Sequence, residues 1–550
     1  MNKEIEDLTK ALVSIKSVNG TLGEKAIADY IESYIRDIPY FKEHPDLVFR
    51  QELKDDSLHR ANIVCLLKGG IPCDDTIMLH GHIDTVGVED YKHLMPYAFD
   101  SERLMEEMLK IDLPEEVRED LESGDYMVGR GCCDMKSGDA VFLVVLKSLC
   151  AHVHDLEGNI LVSFNPVEEN RHQGIIEEIA LLKSLKAEHH LHYLFAINND
   201  YICPLYPHDP YRYIYLGTVG KLLPCFYIQG KEAHVGQPFE GFDASYVASL
   251  LVEKISLNSD FCESYKGEYT LPPSVLKIKD LKSEYNVQTS FDAFVYFNYL
   301  VHDESVEVTL EKFMKAGADV MQKTQDHINR QYEEYCQFSH DQYVPYDYDY
   351  QVISYDTLCQ RVKEEKGEKI LSSLESMAKN YEGKMDQREM PIPIIKEMLS
   401  LLNEHRPTMV CYFGLPYCPH NTLKEERPEE KELIERISSI ASSFQEETKQ
   451  EMKVLRFFPS LSDSSYLKID DSSTSIACLQ KNFPLYQDLY PLPFQDIASL
   501  NIPAIDFGCY GKDAHKWSER VYKPYTFILL PQLIIKTIMS FLGKKESECL

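Results

Sequence analysis

Long hydrophobic runs are absent from this sequence of 550 residues. No uninterrupted apolar segment approaches the ~20 residues that a helix needs to cross a bilayer. The first residues, "MNKEIEDLTKALVSIKS", are charged and amphipathic, and they contain no apolar stretch of the signal-peptide type. We therefore expect a cytoplasmic protein that does not interact with membranes.

Positive charge is scarce. The chain contains 57 Lys and Arg against 89 Asp and Glu, which gives a formal net charge of −32. A nucleic-acid partner requires a basic surface that neutralises phosphates, and no cluster of Lys and Arg of this kind is visible. The sequence therefore predicts no nucleic-acid binding, and solubility accounts for the acidity.

Paired cysteine motifs are also missing. The 15 cysteines include no CxxC pair, and their odd number does not suggest a disulfide framework. Most of them lie in apolar stretches, which fits a reducing compartment. Cys132 and Cys133 precede Asp134, but the neighbouring candidate ligands are oxygen and nitrogen donors, so we do not expect thiolate ligands.

The composition is that of a globular protein with more than one domain. Hydrophobic residues make up 44% of the chain, and its length exceeds one ordinary domain. Helical and strand-like patterns alternate over the first part of the chain, which indicates parallel βαβ units. Near residue 215 the pattern changes to a strand–helix–strand–helix group, which is typical of a small α+β insert.

We therefore predict an α/β fold. A catalytic domain would have a mostly parallel sheet with helices on both faces, and an α+β lid domain would be inserted into it. The predicted boundaries are 1–215 for the first part of the catalytic domain, 216–355 for the lid and 356–550 for the second part.

Acids and histidines follow several of the predicted strands. In an open α/β sheet, ligands gather outside the carboxyl ends of the strands. Carboxylates and imidazoles that converge there suit a divalent metal, with zinc as the first choice. The residues are His82 and Asp84 in "MLHGHIDTVG", Asp134 in "GRGCCDMKSG", Glu168 and Glu169 in "NPVEEN", Asp200 in "AINND", and His515 in "GKDAHKWSER".

These residue types also allow a two-metal site. Two metal ions about 3.5–4 Å apart can share one carboxylate and polarise both water and substrate. A general base must reach the water without being consumed as a ligand, and the adjacent Glu168 and Glu169 allow that division. Asp84 lies two residues after His82 and can accept the second ring N–H of that imidazole. On spacing alone, each element is a weak indication.

Five motifs in order resemble those of a known family. They are "GHIDTV", "GRGCCDMKSG", "VEEN", "GKEAHVGQPFEG" and "GKDAHKWSERV". The family is that of the co-catalytic zinc amidohydrolases, which includes the aminoacylases, carboxypeptidase G, acetylornithine deacetylase and succinyl-diaminopimelate desuccinylase. The chain length, together with "FDAFVYFNYL", "FPSLSDSSYL" and "HKWSERV", is most similar to the arginine-utilisation (RocB-type) branch.

The resemblance implies a metal ligand at five positions. His82 and Asp200 would be the terminal ligands of one metal. Glu169 and His515 would be the terminal ligands of the other, and Asp134 would bridge the two. The implied cofactors are two divalent ions, with zinc first and cobalt or manganese as alternatives.

The resemblance also implies roles for three further residues. Glu168 would be the general base that deprotonates the bridging water and then protonates the leaving amine, and Asp84 would be the partner of His82. His234, in "GKEAHVG", matches a lid histidine that polarises the scissile carbonyl, often across a dimer interface. A homodimer formed through the lid is therefore an expectation.

The chain departs from the family pattern where many members bind the substrate carboxylate. They use an Arg on a lid strand and another after a Thr-Asp loop motif, because guanidinium pairs bidentately with carboxylate. Here the lid strand "VYFNYLV" has Asn298, and the loop "LSDSSYL" keeps Asp463 but has Ser464 and Ser465 at the Arg position. We therefore expect Asn298 and Asp463 to contact an amide or a cationic, arginine-derived substrate.

The predicted activity is hydrolysis of an amide or peptide bond in a small molecule. The enzyme would be a deacylase or peptidase that takes part in the utilisation of an amino acid, with arginine as the candidate amino acid. Two alternatives stay open. One is a non-hydrolytic metal- or ligand-binding protein with a regulatory or carrier role in arginine use. The other is an enzyme that uses a single metal, in which His515 would matter little.

Overall fold

The structure is a computed structural model that describes residues 1–381, 383–459 and 463–544. The described residues form two compact units. Unit 1 consists of Met1–Val219, His420–Ile469 and the described residues from Pro493 onward. Unit 2 consists of Gly220–Pro419 and Asp470–Leu492.

Helices and strands alternate along much of the chain. The α-helices are α1 (Asn2–Ser14), α2 (Gly23–Asp37), α3 (Pro39–Glu43), α4 (Ser101–Met108), α5 (Glu115–Glu122), α6 (Lys136–Ala151), α7 (Gln173–His189), α8 (Ala244–Ile255), α9 (Val306–Ser339), α10 (Tyr355–Lys366), α11 (Glu368–Ala378), α12 (Pro391–Leu401), α13 (Pro428–Thr448), α14 (Ser473–Lys481), α15 (Tyr486–Leu489), α16 (Phe494–Leu500) and α17 (Leu530–Leu542).

The strands fall into one large sheet, one sheet of intermediate size and several small ones. They are β1 (Val48–Glu52), β2 (Ala61–Lys68), β3 (Ile71–His82), β4 (Tyr126–Val128), β5 (Glu157–Asn165), β6 (His192–Asn198), β7 (Arg212–Tyr215), β8 (Gly217–Thr218), β9 (Gly220–Gln229), β10 (Ser264–Tyr265), β11 (Glu268–Tyr269), β12 (Ser274–Asp280), β13 (Asp292–Val301), β14 (Gln351–Ser354), β15 (Thr408–Cys418), β16 (Asn421–Thr422), β17 (Met452–Leu455), β18 (Ala504–Asp506), β19 (Gly511–Lys512) and β20 (Arg520–Tyr522).

Unit 1 is built on a sheet with the strand order β1-β2-β5-β3-β6-β18-β7-β17. The pairs β5–β3, β3–β6, β6–β18 and β7–β17 are parallel, and β1–β2, β2–β5 and β18–β7 are antiparallel. Helices α2, α6, α7 and α17 pack against the central strands. The predicted α/β fold with a mostly parallel sheet is therefore confirmed.

Burial explains why these segments form the centre of unit 1. β2 is buried along all its residues but the last, and β5 along all but the first. Strands enclosed on both faces by helices have continuous apolar sequences of this kind, because neither face meets water. α6 is buried over most of its length, which fits its apolar sequence "AVFLVVL".

Unit 2 contains a sheet with the order β12-β13-β9-β15-β14. α8 and α9 pack on this sheet, and α10, α11 and α12 form a second apolar core with it. The predicted lid begins close to the start of unit 2 but was expected to end at 355. In the structure, β15 lies between β9 and β14, so the chain stays in unit 2 until Pro419.

Two further expectations concern cysteine and membranes. The cysteines that the structure describes are all free thiols. Among the described residues one helical segment, Pro524–Leu542, is long and apolar enough to cross a membrane by composition, and more than half of it is buried within the protein. The absence of membrane binding stays a prediction.

Candidate metal centre

Three neighbouring strands of unit 1 end at the same edge of the large sheet. β3 ends at His82, and the parallel register places this residue opposite Asn165, the last residue of β5. On the other side, His80 of β3 pairs with Asn198, the last residue of β6. The predicted site residues Asp84, Glu168, Glu169 and Asp200 follow directly after these strand ends.

Asp134 and His515 are carried by two loops of a small sheet in unit 1. This sheet has the order β19-β20-β4; Asp134 follows β4, and His515 lies between β19 and β20. The loop before Asp134 requires a glycine, because Gly131 has φ +78° and a Cβ there would meet Thr85 at 2.5 Å. The backbone conformation of the loop that carries Asp134 therefore depends on this glycine.

The carboxylate of Asp134 lies between two imidazoles. Its Oδ1 is 3.0 Å from Nε2 of His82, and its Oδ2 is 3.1 Å from Nε2 of His515. The Oε1 of Glu169 lies 3.0 Å from the same Nε2 of His515. Each carboxylate oxygen thus faces a different histidine, which would allow Asp134 to bridge two metal ions.

The donor atoms fall into groups compact enough to hold an ion. His82, Asp134 and Asp200 form one group, and Asp134, Glu169 and His515 form another; within each group the donor atoms lie within 4.8 Å of one another. Asp134 belongs to both groups. The structure thus brings together all five residues that the sequence analysis predicted as ligands.

The surrounding carboxylates favour the charged form of the histidines in this cluster. Burial by itself would lower the pKa of His82, but the hydrogen bond to Asp134 and the nearby carboxylate of Asp84 raise it well above its usual value. Burial likewise opposes the charge on His515, and its contacts with Asp134 and Glu169 raise its pKa to about 11. Several carboxylates therefore surround each ring.

Burial favours the neutral form of most acids in this cluster. Burial raises the pKa of Glu168 well above its usual value, and it raises that of Glu169, with a further contribution from Asp134. Burial and the charge of Asp134 raise the pKa of Asp200 to about 8. Burial works in the same direction on Asp134, but the two histidines hold the pKa of that carboxyl well below its usual range.

These donors fit a pair of divalent cations. Buried carboxylates that repel one another are stabilised when cations lie among them, and the mixed nitrogen and oxygen donors suit zinc, cobalt or manganese. The buried Nδ1 of His82 lacks a hydrogen-bond partner in the described part of the chain and lies 3.6 Å from Oδ1 of Asp84. Asp84 is thus placed to orient the ring while Nε2 faces the cluster.

Asp84 has a second task that the sequence did not reveal. Its Oδ1 accepts the backbone N–H of Glu168 at 3.0 Å, and its Oδ2 accepts that of Glu169 at 3.1 Å. The side chain of Asn19 donates to Oδ2 at 2.9 Å. Asp84 therefore fixes the backbone of the two glutamates as well as facing His82.

His172 is a site residue that the sequence analysis missed. Its Nδ1 lies 2.7 Å from Oδ1 of Asp463 and 3.7 Å from Oε1 of Glu168, and these three side chains form a third compact donor group. Asp463 is buried, and the structure describes its loop from this residue onward. The carboxylate of Asp463 thus contacts His172 beside Glu168, and its role in substrate binding stays a prediction.

The two remaining predicted residues lie in unit 2. His234 is exposed in the loop after β9, and its Nδ1 accepts the backbone N–H of Gly236 at 3.0 Å. Asn298 is half-buried in β13, opposite Ser274 of β12. Their predicted contacts with substrate stay predictions.

Comparison with known proteins places this geometry in context. Residues 78–446 match the sequence model of peptidase family M20/M25/M40. Protein RocB of Bacillus subtilis (strain 168) is 38% identical over 540 residues, which cover 98% of this chain and 95% of that protein. The uncharacterized protein YqjN of the same organism is 33% identical over 552 residues, which cover 99% of this chain and 97% of that protein.

Solved structures share the fold at low sequence identity. A tripeptidase from Staphylococcus aureus aligns with a TM-score of 0.52 and 14% identity over 98% of both chains. The aminopeptidase PepT from Bacillus cereus aligns with a TM-score of 0.51 and 14% identity, also over 98% of both chains.

Proposed function

The chain belongs to peptidase family M20/M25/M40, a family of metal-dependent hydrolases, and we propose that it hydrolyses an amide or peptide bond. Two divalent ions, with zinc as the first candidate, would act together with Glu168 as the general base. The observation that carries the proposal is the position of Asp134 between His82 and His515. A carboxylate with a histidine on each oxygen supports two metals more directly than one.

The residues of unit 1 support a division of tasks. His82 and Asp200 would hold one ion, Glu169 and His515 the other, and Asp134 both. When bound, the ions would lower the pKa of a water molecule and polarise the scissile carbonyl.

Glu168 is adjacent to the ligand Glu169 but belongs to neither of the two donor groups that contain Asp134. Its carboxylate is therefore available to accept the proton of the attacking water and to return it to the leaving amine. The hydrogen bonds that Asp84 accepts hold the backbone of both glutamates, so that one side chain can bind metal while the other moves a proton.

His234 is proposed as the donor to the scissile carbonyl. Because its Nδ1 accepts a backbone N–H, the neutral ring carries its proton on Nε2 and can donate from that atom. A donor aimed at a developing oxyanion contributes about 3–4 kcal/mol to lowering the barrier. We expect His234→Ala to lower kcat by roughly 100- to 1,000-fold while the metal content stays unchanged.

The proposed substrate is a small amide or peptide derived from arginine. Two features support it: the likeness to Protein RocB over nearly the whole chain, and the lack of Arg at the positions of Asn298 and of Ser464 and Ser465. Hydrolysis of N-acylarginine should be compared with that of its amide and of N-acyl derivatives of neutral amino acids. A strict requirement for a free carboxylate would contradict the proposal.

The proposal is tested by metal analysis combined with a substrate screen. Wild-type protein should bind two equivalents of zinc and hydrolyse at least one N-acyl amino acid, amide or dipeptide. Glu168→Gln should keep both metals and lose activity by at least 1,000-fold, the upper range for a general base. A wild type that holds metal but hydrolyses no compound faster than Glu168→Gln would favour the carrier role.

His515→Ala separates the two-metal site from the single-metal alternative. This variant removes a terminal ligand of one ion, so the zinc content should fall from two equivalents to about one and activity should be lost. A wild type with one equivalent of zinc and a His515→Ala variant with full activity would support the single-metal enzyme instead.

A cytoplasmic location and a homodimer formed through unit 2 are also proposed. β12 lies at the edge of its sheet and exposes Leu276 and Ile278, and such an edge favours pairing with another chain. Light scattering should give twice the monomer mass for the wild type and the monomer mass for Leu276→Lys. A monomeric wild type would contradict the proposed dimer.

A further inference from the structure

Three loops that carry proposed metal ligands converge on one buried ion pair. Nη1 of Arg130 lies 2.8 Å from Oε2 of Glu519, and both side chains are 1% exposed. Arg130 lies in the loop of Asp134, and Glu519 follows His515 in the next loop of the small sheet. Neither residue belongs to a donor group of the metal centre among the residues that the structure describes.

Glu519 connects the loop of His515 to that of Asp134. Its Oε1 accepts the backbone N–H of Cys133 at 3.0 Å and that of Asp134 at 3.3 Å. Its own backbone N–H donates to the carbonyl of Lys516 at 2.9 Å, within the loop of His515. One carboxylate therefore fixes the backbone of the bridging ligand from a position four residues after a terminal ligand.

Arg130 connects the same loops to the third one, which follows β3. Its Nε donates to the carbonyl of Gly87 at 3.0 Å, and its Nη2 donates to Oδ1 of Asp90 at 2.8 Å. His82 is the last residue of β3, and Asp84 lies at the start of this loop. The planar guanidinium thus uses separate N–H groups to bind the loop of Asp84 and the carboxylate of Glu519, which a lysine ammonium reproduces poorly.

We propose that the pair Arg130–Glu519 is a positioning element that sets the relative placement of His82, Asp134 and His515 and so determines the affinity of the metal centre. Neither side chain binds metal in this proposal. Residues that orient metal ligands typically change metal affinity by about 10–100-fold when substituted. The inference depends on the proposed metal centre and is independent of substrate turnover.

The test measures metal affinity and ligand geometry, without substrate. Arg130→Lys keeps the positive charge but loses the planar set of N–H donors. Glu519→Gln keeps the shape of the side chain but loses the negative charge. The control is Glu430→Gln, which breaks another buried pair of unit 1, since Oε1 of Glu430 lies 2.8 Å from Nζ of Lys468. For each protein, zinc affinity is measured by competition with a chelator, the cobalt(II) absorption spectrum is recorded, and unfolding is followed with urea.

Both variants of the pair should bind zinc about 10–100-fold more weakly than the wild type and should shift the cobalt(II) bands. Glu430→Gln should lose stability but keep its zinc affinity within about twofold and its spectrum unchanged. If Glu519→Gln does not fold, the zinc affinity and the cobalt(II) spectrum of Arg130→Lys test the inference. Unchanged affinity and spectra in Arg130→Lys, or an equal loss of affinity in Glu430→Gln, would overturn the inference.

The outcome for the wild type separates this inference from the proposed function. A wild type that binds two ions and hydrolyses nothing defeats the proposed function, whereas the comparison of the variants still tests the ion pair. A wild type that binds no divalent ion overturns both.

Discussion

Asp84 holds the backbone of the two adjacent glutamates for which we propose different roles. Its carboxylate accepts hydrogen bonds from the backbone N–H groups of Glu168 and Glu169. The turn before these residues contains Val167 with φ +71°. A β-branched residue in this region of backbone space is strained, so the turn persists only because its surroundings hold it. The buried hydrogen bonds of Asp84 provide that support.

We predict that Asp84→Asn lowers turnover by at least tenfold and weakens metal binding. The amide has one oxygen, so one of the two backbone N–H groups faces an NH2 group and loses its acceptor, which costs about 1–3 kcal/mol locally. The measurements are kcat and zinc affinity for Asp84→Asn beside Asn19→Ala, which removes only the hydrogen bond from Asn19 to Asp84. Equal effects in the two variants would contradict this role.

The sequence indicated the five proposed ligands and the place of Asp84 beside His82, but not the other contacts that support them. Each predicted ligand lies at the end of a strand or in a loop that follows one, so its position along the chain reflects its place in the fold. His172 and Asp463 are 291 residues apart and meet through tertiary structure, and no spacing could have connected them. Neither could spacing show that Asp84 would accept two backbone N–H groups.

At the scale of elements, the strands could be predicted from the sequence, but the partner of each strand in its sheet could not. The apolar runs that became β3, β5, β6 and β18 are short, β-branched and flanked by polar residues, which is the local signature of a strand. The pairing of β15 with β9 depends on packing between segments about 180 residues apart, so the sequence placed this strand in the wrong unit.

The packing of α7 against β5 encloses a layer of polar side chains. Glu178 of α7 accepts hydrogen bonds from Ser163 and Asn165 of β5. Asn165 in turn contacts His80 of β3 through its Oδ1 and Asn62 of β2 through its Nδ2. Buried networks of this kind favour one register of the elements that contribute to them. Among the described residues, Oε1 of Glu178 has no hydrogen-bond partner.

Glu178 makes this layer sensitive to pH. Burial raises its pKa to about 7, although the hydrogen bonds from Ser163 and Asn165 act against burial. The folded protein therefore holds this proton more tightly than the unfolded chain, so the contribution of Glu178 to stability is fully present below about pH 4.5 and is lost as the pH rises through about 7. The total change is about 3 kcal/mol.

Glu178→Gln should remove this pH dependence. Relative to the variant, the wild type should lose about 3 kcal/mol of unfolding free energy between pH 4.5 and pH 8, because glutamine cannot titrate. Urea unfolding at several pH values measures the difference, and Glu188→Gln, at an exposed position of the same helix, should follow the wild type. Parallel profiles for all three proteins would show that Glu178 keeps an ordinary pKa.

At the scale of the whole molecule, the five proposed ligands all belong to unit 1. They span 434 positions of the chain, from 82 to 515, and include three buried carboxylates and two histidines. Without cations, the mutual repulsion of these carboxylates opposes folding of unit 1, because charges of one sign are costly to bury together. Metal binding and the stability of unit 1 are therefore thermodynamically linked.

Removal of metal should consequently destabilise unit 1 and leave unit 2 unaffected. At free zinc 100 times the dissociation constant, each bound ion adds about 2.7 kcal/mol to the unfolding free energy. Hydrogen exchange of protein with zinc and after chelation should show protection in the segments around His82, Asp134, Glu169 and His515, and no change in β12 and β13 of unit 2. Asp134→Ala should abolish the difference, since the carboxylate that we propose as the bridge would serve both ions. Equal protection of both units, or protection that survives in Asp134→Ala, would mean that zinc stabilises the protein from somewhere other than this cluster.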